Sequence, residues 1–205
     1  MIKDRVRFIR SKRPQCVVLT DAFVIFASMN RDNDNELFPI VDEQGNVLGR
    51  ILRGQAHDGR KVLHPVVHLH LFNSKGELYL QRRPDWKPIQ PGKWDTAVGG
   101  HISYGETVQQ AFRREVMEEL GINVPDATPM GHYVFESKVE KELVYVFRAI
   151  YDGPVNPSAD ELDGGRFWTR QQIMDAMGRN ILTPNFESEY LRFFSPQSSR
   201  SEGVV

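Results

Sequence analysis

Residues 100–122 read GHISYGETVQQAFRREVMEELGI and carry most of what the sequence says about fold and function. Within this segment, Thr107 and Gln110 form a capping-box pattern, which predicts that a helix begins there. Gly121 stands where a C-terminal glycine cap is expected. The sequence therefore predicts a helix over residues 107–120. Its buried stripe is predicted to consist of Phe112, Val116 and Leu120.

Three glutamates crowd one side of this helix near its C-terminal end. Glu115, Glu118 and Glu119 fall within roughly a 100° arc. Like charges at these spacings repel each other, and the negative end of the helix dipole adds to the repulsion. Arg114, four residues before Glu118, offsets only part of it. A solvated acidic face is one interpretation of the glutamates alone, and a divalent cation with oxygen ligands is the other.

The spacing of the whole segment decides between these interpretations, because it resembles the signature of the Nudix hydrolases. That signature is Gly, five residues, Glu, seven residues, then Arg-Glu-aliphatic-x-Glu-Glu-x-Gly-aliphatic, and it is matched here without a gap. The matching residues are Gly100, Glu106, Arg114, Glu115, Val116, Glu118, Glu119, Gly121 and Ile122. The resemblance implies an α/β protein with the Nudix fold, a mixed β-sheet sandwiched between α-helices.

The same resemblance implies a role for each residue of the motif. Metal ligands are expected at Glu115, Glu119, Glu118 and the carbonyl oxygen of Gly99. Glu118 is expected to act as a further ligand or as a general base, Arg114 to orient the glutamates, and Glu106 to brace the loop through Arg114. Mg²⁺ is the expected cofactor, with Mn²⁺ as the alternative. Such a metal polarises a phosphoryl oxygen and activates the attacking water.

The segment before the motif resembles a particular branch of the superfamily, the type 1 isopentenyl-diphosphate isomerases and their relatives. The likeness rests on Gln81-Arg82-Arg83, Pro91-Gly92-x-Trp94 and Gly100-His101, and it extends from residue 37 to about residue 170. Those isomerases hold a metal with three histidines and two glutamates. The resemblance therefore implies a second metal site, formed by His57, His64, His101, Glu140 and Glu142. Two other histidines of the same segment, His68 and His70, are interpreted as packing or surface residues.

One residue argues against the isomerase reaction. That reaction needs a proton donor and an acceptor on opposite faces of the substrate, and in the isomerases one of them is a cysteine just before the Gly-His pair. Gly99 occupies that position, and Cys16 is the only cysteine in the chain. The sequence therefore favours a hydrolase that cleaves a phosphoanhydride bond in a nucleoside diphosphate or a nucleoside diphosphate-linked compound. The alternatives are an isopentenyl-diphosphate isomerase and a non-catalytic nucleotide-binding module.

Basic residues before the motif are the candidates for binding a diphosphate. Arginine grips phosphate through two hydrogen bonds, and lysine acts as a point charge. By the same resemblance, the expected phosphate contacts are Arg83, Lys87 and Arg82. A further metal-binding or catalytic carboxylate is expected at Glu161, with Asp160 and Asp163 as alternatives. Trp86, Trp94 and Tyr104 are interpreted either as base-stacking residues or as loop anchors.

Length and composition limit the classes of protein and of partner that remain possible. At 205 residues the chain is long enough for one domain with extensions. Its net charge of −1 does not favour a nucleic-acid partner, and no apolar run approaches the ~20 residues that span a membrane. A single cysteine fits a reducing compartment, so a cytoplasmic enzyme with a small diphosphate substrate is expected. The resemblance leaves room for a homodimer.

The order of predicted elements divides the chain into an N-terminal extension of unknown role (1–35), a Nudix domain (36–195) and a flexible tail (196–205). Turn residues predict hairpins in LFPIVDEQGNVLGRIL (37–52) and VVHLHLFNSKGELYLQR (66–82). Further strands are expected in GHYVFES (131–137), ELVYVFRAIY (142–151) and RFWT (166–169). Helices are expected in TRQQIMDAM (169–177), after a threonine cap, and in NFESEYLRFF (185–194), where Pro184 occupies the first position.

Overall fold

The computed structural model describes residues 33–87 and 89–195. Most of the expected N-terminal extension, Cys16 within it, and the expected tail at 196–205 lie outside the described residues. The strands are β1 (Leu37–Val41), β2 (Val47–Leu52), β3 (Leu63–Phe72), β4 (Leu78–Arg82), β5 (Trp94–Asp95), β6 (Val98–His101), β7 (Thr128–Glu136), β8 (Lys141–Ile150) and β9 (Gly165–Trp168). The helices are α1 (Arg53–Ala56), α2 (Val108–Leu120), α3 (Arg170–Ala176) and α4 (Pro184–Phe194).

A seven-stranded mixed sheet forms the centre of the molecule, and β1 and β2 form a separate antiparallel hairpin. The main path of the sheet is β5-β4-β3-β8-β7, with β6 paired to β3 and β9 paired to β4. The long strands β3 and β8 run parallel, while the other pairs of the sheet are antiparallel. This mixed sheet confirms the fold class expected from the sequence.

Alternating side chains of β3 point to opposite faces of the sheet, as a strand requires. Val67, Leu69 and Leu71 pack with the buried stripe of α2. On the other face, Leu78 and Leu80 of β4 pack with residues of α3 and α4. Both faces of the sheet are therefore covered by helices, and almost the whole of β3 is buried.

Local sequence signals place the helix ends. Thr107 caps α2 with both hydrogen bonds of the capping box, and Gly121 closes it in the left-handed conformation at φ 63°. Thr169 caps α3 in the same way. Thr183 caps α4, whose first position is Pro184. These expected helices are confirmed, and no helix among the described residues is long and apolar enough to cross a membrane.

Three short elements were not expected from the sequence: α1, β5 and β6. β6 reads VGGH, and glycine disfavours strand structure because it loses the most backbone freedom on folding. Pairing with β3 overrides that preference, since four consecutive residues of β6 lie opposite Val66–Leu69. This pairing places the start of the Nudix motif beside the central strand.

Candidate functional site

Arg114 is the centre of an ion-pair network at the start of the Nudix motif. Its guanidinium donates to both carboxylate oxygens of Glu106 at 2.8 Å. It also donates to Glu115 at 2.8 Å, to Glu118 at 3.0 Å and to the carbonyl oxygen of His101 at 3.0 Å. Glu106 in turn accepts from the backbone N–H of Ser103 at 3.0 Å. One arginine therefore joins the loop before α2 to two of the three glutamates.

The glutamates of α2 differ in burial. Burial raises the pKa of Glu115 to about 7 although Arg114 opposes the shift. Burial, together with the charges of Glu115 and Glu161, raises the pKa of Glu119 well above its usual value. Glu119 accepts a hydrogen bond from the Gln81 side chain at 3.1 Å, and the backbone N–H of Gly99 acts to lower its pKa. A divalent cation would stabilise both carboxylates in their charged form.

A second cluster lies at the C-terminal end of β6, which His101 forms. Ligand atoms of four residues all lie within 4.8 Å of one another there: His57, His64, His101 and Glu142. The Nε2 atoms of His57 and His101 are 3.1 Å apart. Glu140, the fifth residue expected at this site, lies outside that group but has its carboxylate 3.6 Å from Nε2 of His57. Residues from β3, β6, β8 and the end of α1 thus meet at one point.

The hydrogen bonds of the histidines leave their Nε2 atoms facing the cluster. Nδ1 of His57 donates to the carbonyl oxygen of Arg53 at 2.9 Å, and Nδ1 of His64 donates to the carbonyl oxygen of Val62 at 2.9 Å. Nε2 of His64 is buried and has no hydrogen-bond partner among the described residues. Ring orientation by an Nδ1–H bond to a backbone carbonyl is the arrangement that metal-ligating histidines show.

Burial favours the neutral form of two histidines in this cluster. It lowers the pKa of His64 to about 4 and that of His101 well below its ordinary value, the latter with help from the charge of Arg53. Burial and the neighbouring Glu140 raise the pKa of Glu142 to about 8. Neutral imidazoles beside carboxylates form a donor set that fits zinc or manganese.

Phe38 of β1 packs against the histidines of this cluster. Its ring is fully buried and stacks on His101 at 4.4 Å and on His64 at 5.7 Å between ring centroids. The β1–β2 hairpin therefore helps to shield the histidines from water.

A cavity of about 720 Å³ lies beside the histidine cluster. His57, His101, Glu140 and Glu142 line one side of it. A smaller cavity of about 50 Å³ lies beside Glu119 and Glu161. The two cavities share four lining residues: Gln81, Arg83, Lys87 and Gly99. A bound molecule could therefore reach both Glu119 and the histidine cluster.

Of the three basic residues expected to contact the diphosphate, two line the cavity and one does not. Arg83 and Lys87 line the cavity. The Arg83 guanidinium already donates to the carbonyl oxygen of Ile89 at 3.0 Å, and Lys87 lies 3.4 Å from Glu161. Arg82 is not among the lining residues described, because its guanidinium pairs with Asp163 and Asp85 at the surface.

Of the three acidic residues considered for an additional carboxylate, only Glu161 is among the described residues that line the two cavities. Glu161 lines the smaller cavity together with Glu119. Asp163 is engaged by Arg82, and Asp160 is exposed.

The aromatic residues considered for base stacking do not line the main cavity among the described residues. Trp94 packs against Trp168 at 5.1 Å between ring centroids, as a loop anchor does. Trp86 and Tyr104 are exposed on the surface. Phe135 of β7 borders the cavity instead.

Sequence reasoning missed the roles of His68 and Glu189 in this region. His68, interpreted as a packing or surface residue, lines the cavity, and it donates from Nδ1 to Glu189 of α4 at 2.9 Å. His70 is fully buried and bonds to the same carboxylate. The available signal was Glu189 itself, because it lies on the apolar stripe of α4 between Phe186 and Phe193.

The family model described as NUDIX domain matches residues 62–187, so the chain belongs to the Nudix family. A Nudix hydrolase of Pseudomonas aeruginosa, described as uncharacterized, is 36% identical over 135 residues, which cover 66% of this chain and 79% of that protein. An isopentenyl-diphosphate Delta-isomerase of Mycolicibacterium vanbaalenii is 32% identical over 154 residues, which cover 72% and 84%. A crystal structure from Deinococcus radiodurans has a TM-score of 0.67 at 26% identity and covers 78% of this chain and 99% of its own.

Proposed function

We propose that this protein is a divalent-metal-dependent hydrolase that cleaves a phosphoanhydride bond in a nucleoside diphosphate or a nucleoside diphosphate-linked substrate. The observation that carries the proposal is the complete set of contacts around Arg114, together with the buried carboxylate of Glu119 beside a cavity. Oxygen donors alone suit Mg²⁺, or Mn²⁺ in its place.

The chain's own residues divide the work of this reaction. Glu115, Glu119 and the carbonyl of Gly99 would hold the metal, which when bound would polarise a phosphoryl oxygen and activate water. Arg114 holds Glu115 and Glu118 in place through hydrogen bonds. Positioning and charge stabilisation account for most of the catalysis in phosphoryl transfer.

Lys87 and Glu161 both line the smaller cavity. Lys87 would attract the diphosphate, and Glu161 would serve as the additional carboxylate. Arg83 would contact the substrate only with the part of its guanidinium that Ile89 and Asp95 leave accessible, since both already accept from it.

A substrate panel with Mg²⁺ tests the proposal, with release of phosphate and of nucleotide both measured. Glu119→Gln should lower kcat/KM by about 10²–10⁴-fold, because the interaction with a metal is worth several kcal/mol in the transition state. Glu43→Gln is the matched control, since it makes the same change in the exposed turn between β1 and β2. Equal turnover by wild type and Glu119→Gln would refute the role given to Glu119.

The histidine cluster supports a second candidate function, isopentenyl-diphosphate isomerisation. His57, His64, His101 and Glu142 are arranged as a metal site, and relatives more than 30% identical are named as that isomerase. Against it, residue 99 is a glycine. The nearest group to a β-carbon at residue 99 is Nε2 of His68, at 3.6 Å.

Deuterium uptake from heavy water into isopentenyl diphosphate distinguishes the two enzymes. Uptake without release of phosphate would favour the isomerase, and release without uptake would favour the hydrolase. Tight binding of nucleotides with no turnover under any metal would favour the third candidate, a non-catalytic binding module.

A further inference from the structure

A buried carboxylate joins the central strand to α4. Glu189 is fully buried. It accepts hydrogen bonds from Nδ1 of His68 at 2.9 Å, from Nε2 of His70 at 2.5 Å and from the hydroxyl of Tyr133 at 2.7 Å. An ionised carboxylate can accept all three hydrogen bonds, whereas a protonated carboxyl group would have to donate one of them.

A buried negative charge of this kind is tolerated only with a compensating positive charge. Two histidines bond to Glu189, and their second ring nitrogens differ. Nδ1 of His70 is buried without a hydrogen-bond partner in the described part of the chain, so a proton there would leave an unsatisfied donor. His68 lines the cavity, where a proton on Nε2 carries no such penalty. The positive charge therefore belongs on His68.

Electrostatics at this site agree with the hydrogen-bond geometry. Burial lowers the pKa of His68, but the charge and hydrogen bond of Glu189 outweigh it and raise the pKa to about 9. Burial likewise opposes the charged form of Glu189, and the two histidines still lower the pKa of that carboxyl overall.

His68 lines the main cavity together with Gly99. Its Nε2 atom lies 3.6 Å from the position of a β-carbon on Gly99, and Gly99 also lines the smaller cavity together with Glu119. Glu142 lines the main cavity as well, and its charge interacts with His68. A phosphate group bound beside Gly99 would therefore approach both Glu119 and the imidazole.

The two cations that line both cavities are already engaged. Arg83 donates to a backbone carbonyl and to Asp95, and Lys87 pairs with Glu161. Arg53 and Lys138 also line the main cavity, but five carboxylates line it with them. An anionic substrate there would be stabilised by a further donor that is held toward the cavity. The imidazolium of His68 meets this requirement, because its opposite edge is fixed by Glu189.

We propose that His68 contacts the phosphate groups of the substrate through Nε2, and that Glu189 is its positioning residue. This inference rests on the proposed diphosphate chemistry of the cavity. It adds a contact outside the Nudix motif, from the face of the sheet that α4 covers.

Calorimetric titration of the full chain with inorganic pyrophosphate in the presence of Mg²⁺ tests the inference without requiring turnover. His68→Asn should weaken binding by about 10- to 100-fold, the value of a hydrogen bond to a charged group. Tyr133→Phe is the matched control, since it removes a hydrogen bond to the same carboxylate without altering the cavity lining. Its affinity should stay within about twofold of wild type, because His68 and His70 still hold the carboxylate.

Glu189→Gln tests the positioning role. It should weaken pyrophosphate binding about as much as His68→Asn. Long-range ¹H–¹⁵N spectra provide a second readout: the ring nitrogens of His68 should show an imidazolium in wild type and a neutral ring in Glu189→Gln. A merely structural role for Glu189 would not change this ring signature. If Glu189→Gln does not fold, His68→Asn and Tyr133→Phe decide the question alone.

The outcomes separate this inference from the proposed function. No binding of pyrophosphate by wild type, an unchanged affinity in His68→Asn, or equal losses in His68→Asn and Tyr133→Phe would each overturn the inference. Selective loss in His68→Asn supports it even if no substrate of the panel is hydrolysed, in which case the proposed function alone fails.

Discussion

Gly100→Ala should remove metal binding while lowering the stability of the fold by no more than about 2.6 kcal/mol. A β-carbon at Gly100 would overlap the Glu115 side chain at its Cγ, its Cδ and one carboxylate oxygen. The backbone at Gly100 does not have a positive φ, so the substitution acts through this overlap alone. Because the overlapping atoms end a flexible side chain, Glu115 can rotate away and relieve the collision.

The expected change in the free energy of unfolding depends on the interactions that the Glu115 side chain loses when it rotates. Rotation breaks its hydrogen bond with Arg114, which costs about 1.5–3 kcal/mol because both groups are charged. Replacing glycine by alanine restricts the unfolded chain and returns about 0.4–1 kcal/mol. The free energy of unfolding should therefore fall by roughly 0.5–2.6 kcal/mol. Misplacing a ligand by about 1 Å, in contrast, lowers activity on the order of 100-fold.

Three measurements check this prediction: urea unfolding, calorimetric titration with Mn²⁺, and turnover on the substrate panel. Gly49→Ala is the control, because a β-carbon there meets only Ile40, at an ordinary 3.8 Å. Metal affinity and turnover of Gly100→Ala that match those of Gly49→Ala would show that Glu115 is not needed where the structure places it, and would refute the reasoning.

Two further predictions concern the network around Arg114. Arg114→Gln should destabilise the fold by about 2–3 kcal/mol, less than the roughly 3–5 kcal/mol of a fully buried pair, because the Arg114 side chain is 29% exposed. Mg²⁺ should restore part of this loss, whereas the exposed neighbour substitution Arg113→Gln should have little effect; denaturant unfolding with and without Mg²⁺ measures both. For Glu106, burial raises the pKa but hydrogen bonds from Arg114 and Ser103 lower it overall. Its ionised form therefore stabilises the fold fully above the unfolded-state pKa of about 4.3, and this contribution is lost as the pH falls from there through the lower folded-state pKa. In acid titrations of the free energy of unfolding, wild type should lose stability more steeply than Glu106→Gln below about pH 4.3, and parallel curves would contradict this assignment.

The glutamates of α2 and the histidine cluster could be predicted from the sequence to different degrees. Glu115, Glu118 and Glu119 belong to one helix, so helical geometry alone places them on one side. The cluster that contains His64 and Glu142 required a resemblance, because its elements are separated in the chain and meet only through sheet pairing. In the structure, His64 lies directly opposite Glu142 in the parallel register of β3 and β8.

His68 shows where residue-by-residue interpretation fails. A histidine in a buried strand usually has a packing role, and nothing adjacent to His68 in sequence indicates otherwise. Its partner Glu189 is 121 residues away, on a helix whose approach to the sheet is set by apolar packing of Phe186 and Tyr190. Local patterns report contacts within one element, but not which elements will face each other.

The sequence by itself determined the helix with its caps, the crowding of carboxylates at its end and the family to which these belong, because each depends on neighbours within a few residues. Only the tertiary structure decided which basic residues reach the cavity, that Arg82 faces away from it, and that Glu189 holds His68 toward it. Those outcomes depend on strand register and on the packing of helices across a sheet. These long-range contacts decide which charged side chains are buried and which form ion pairs.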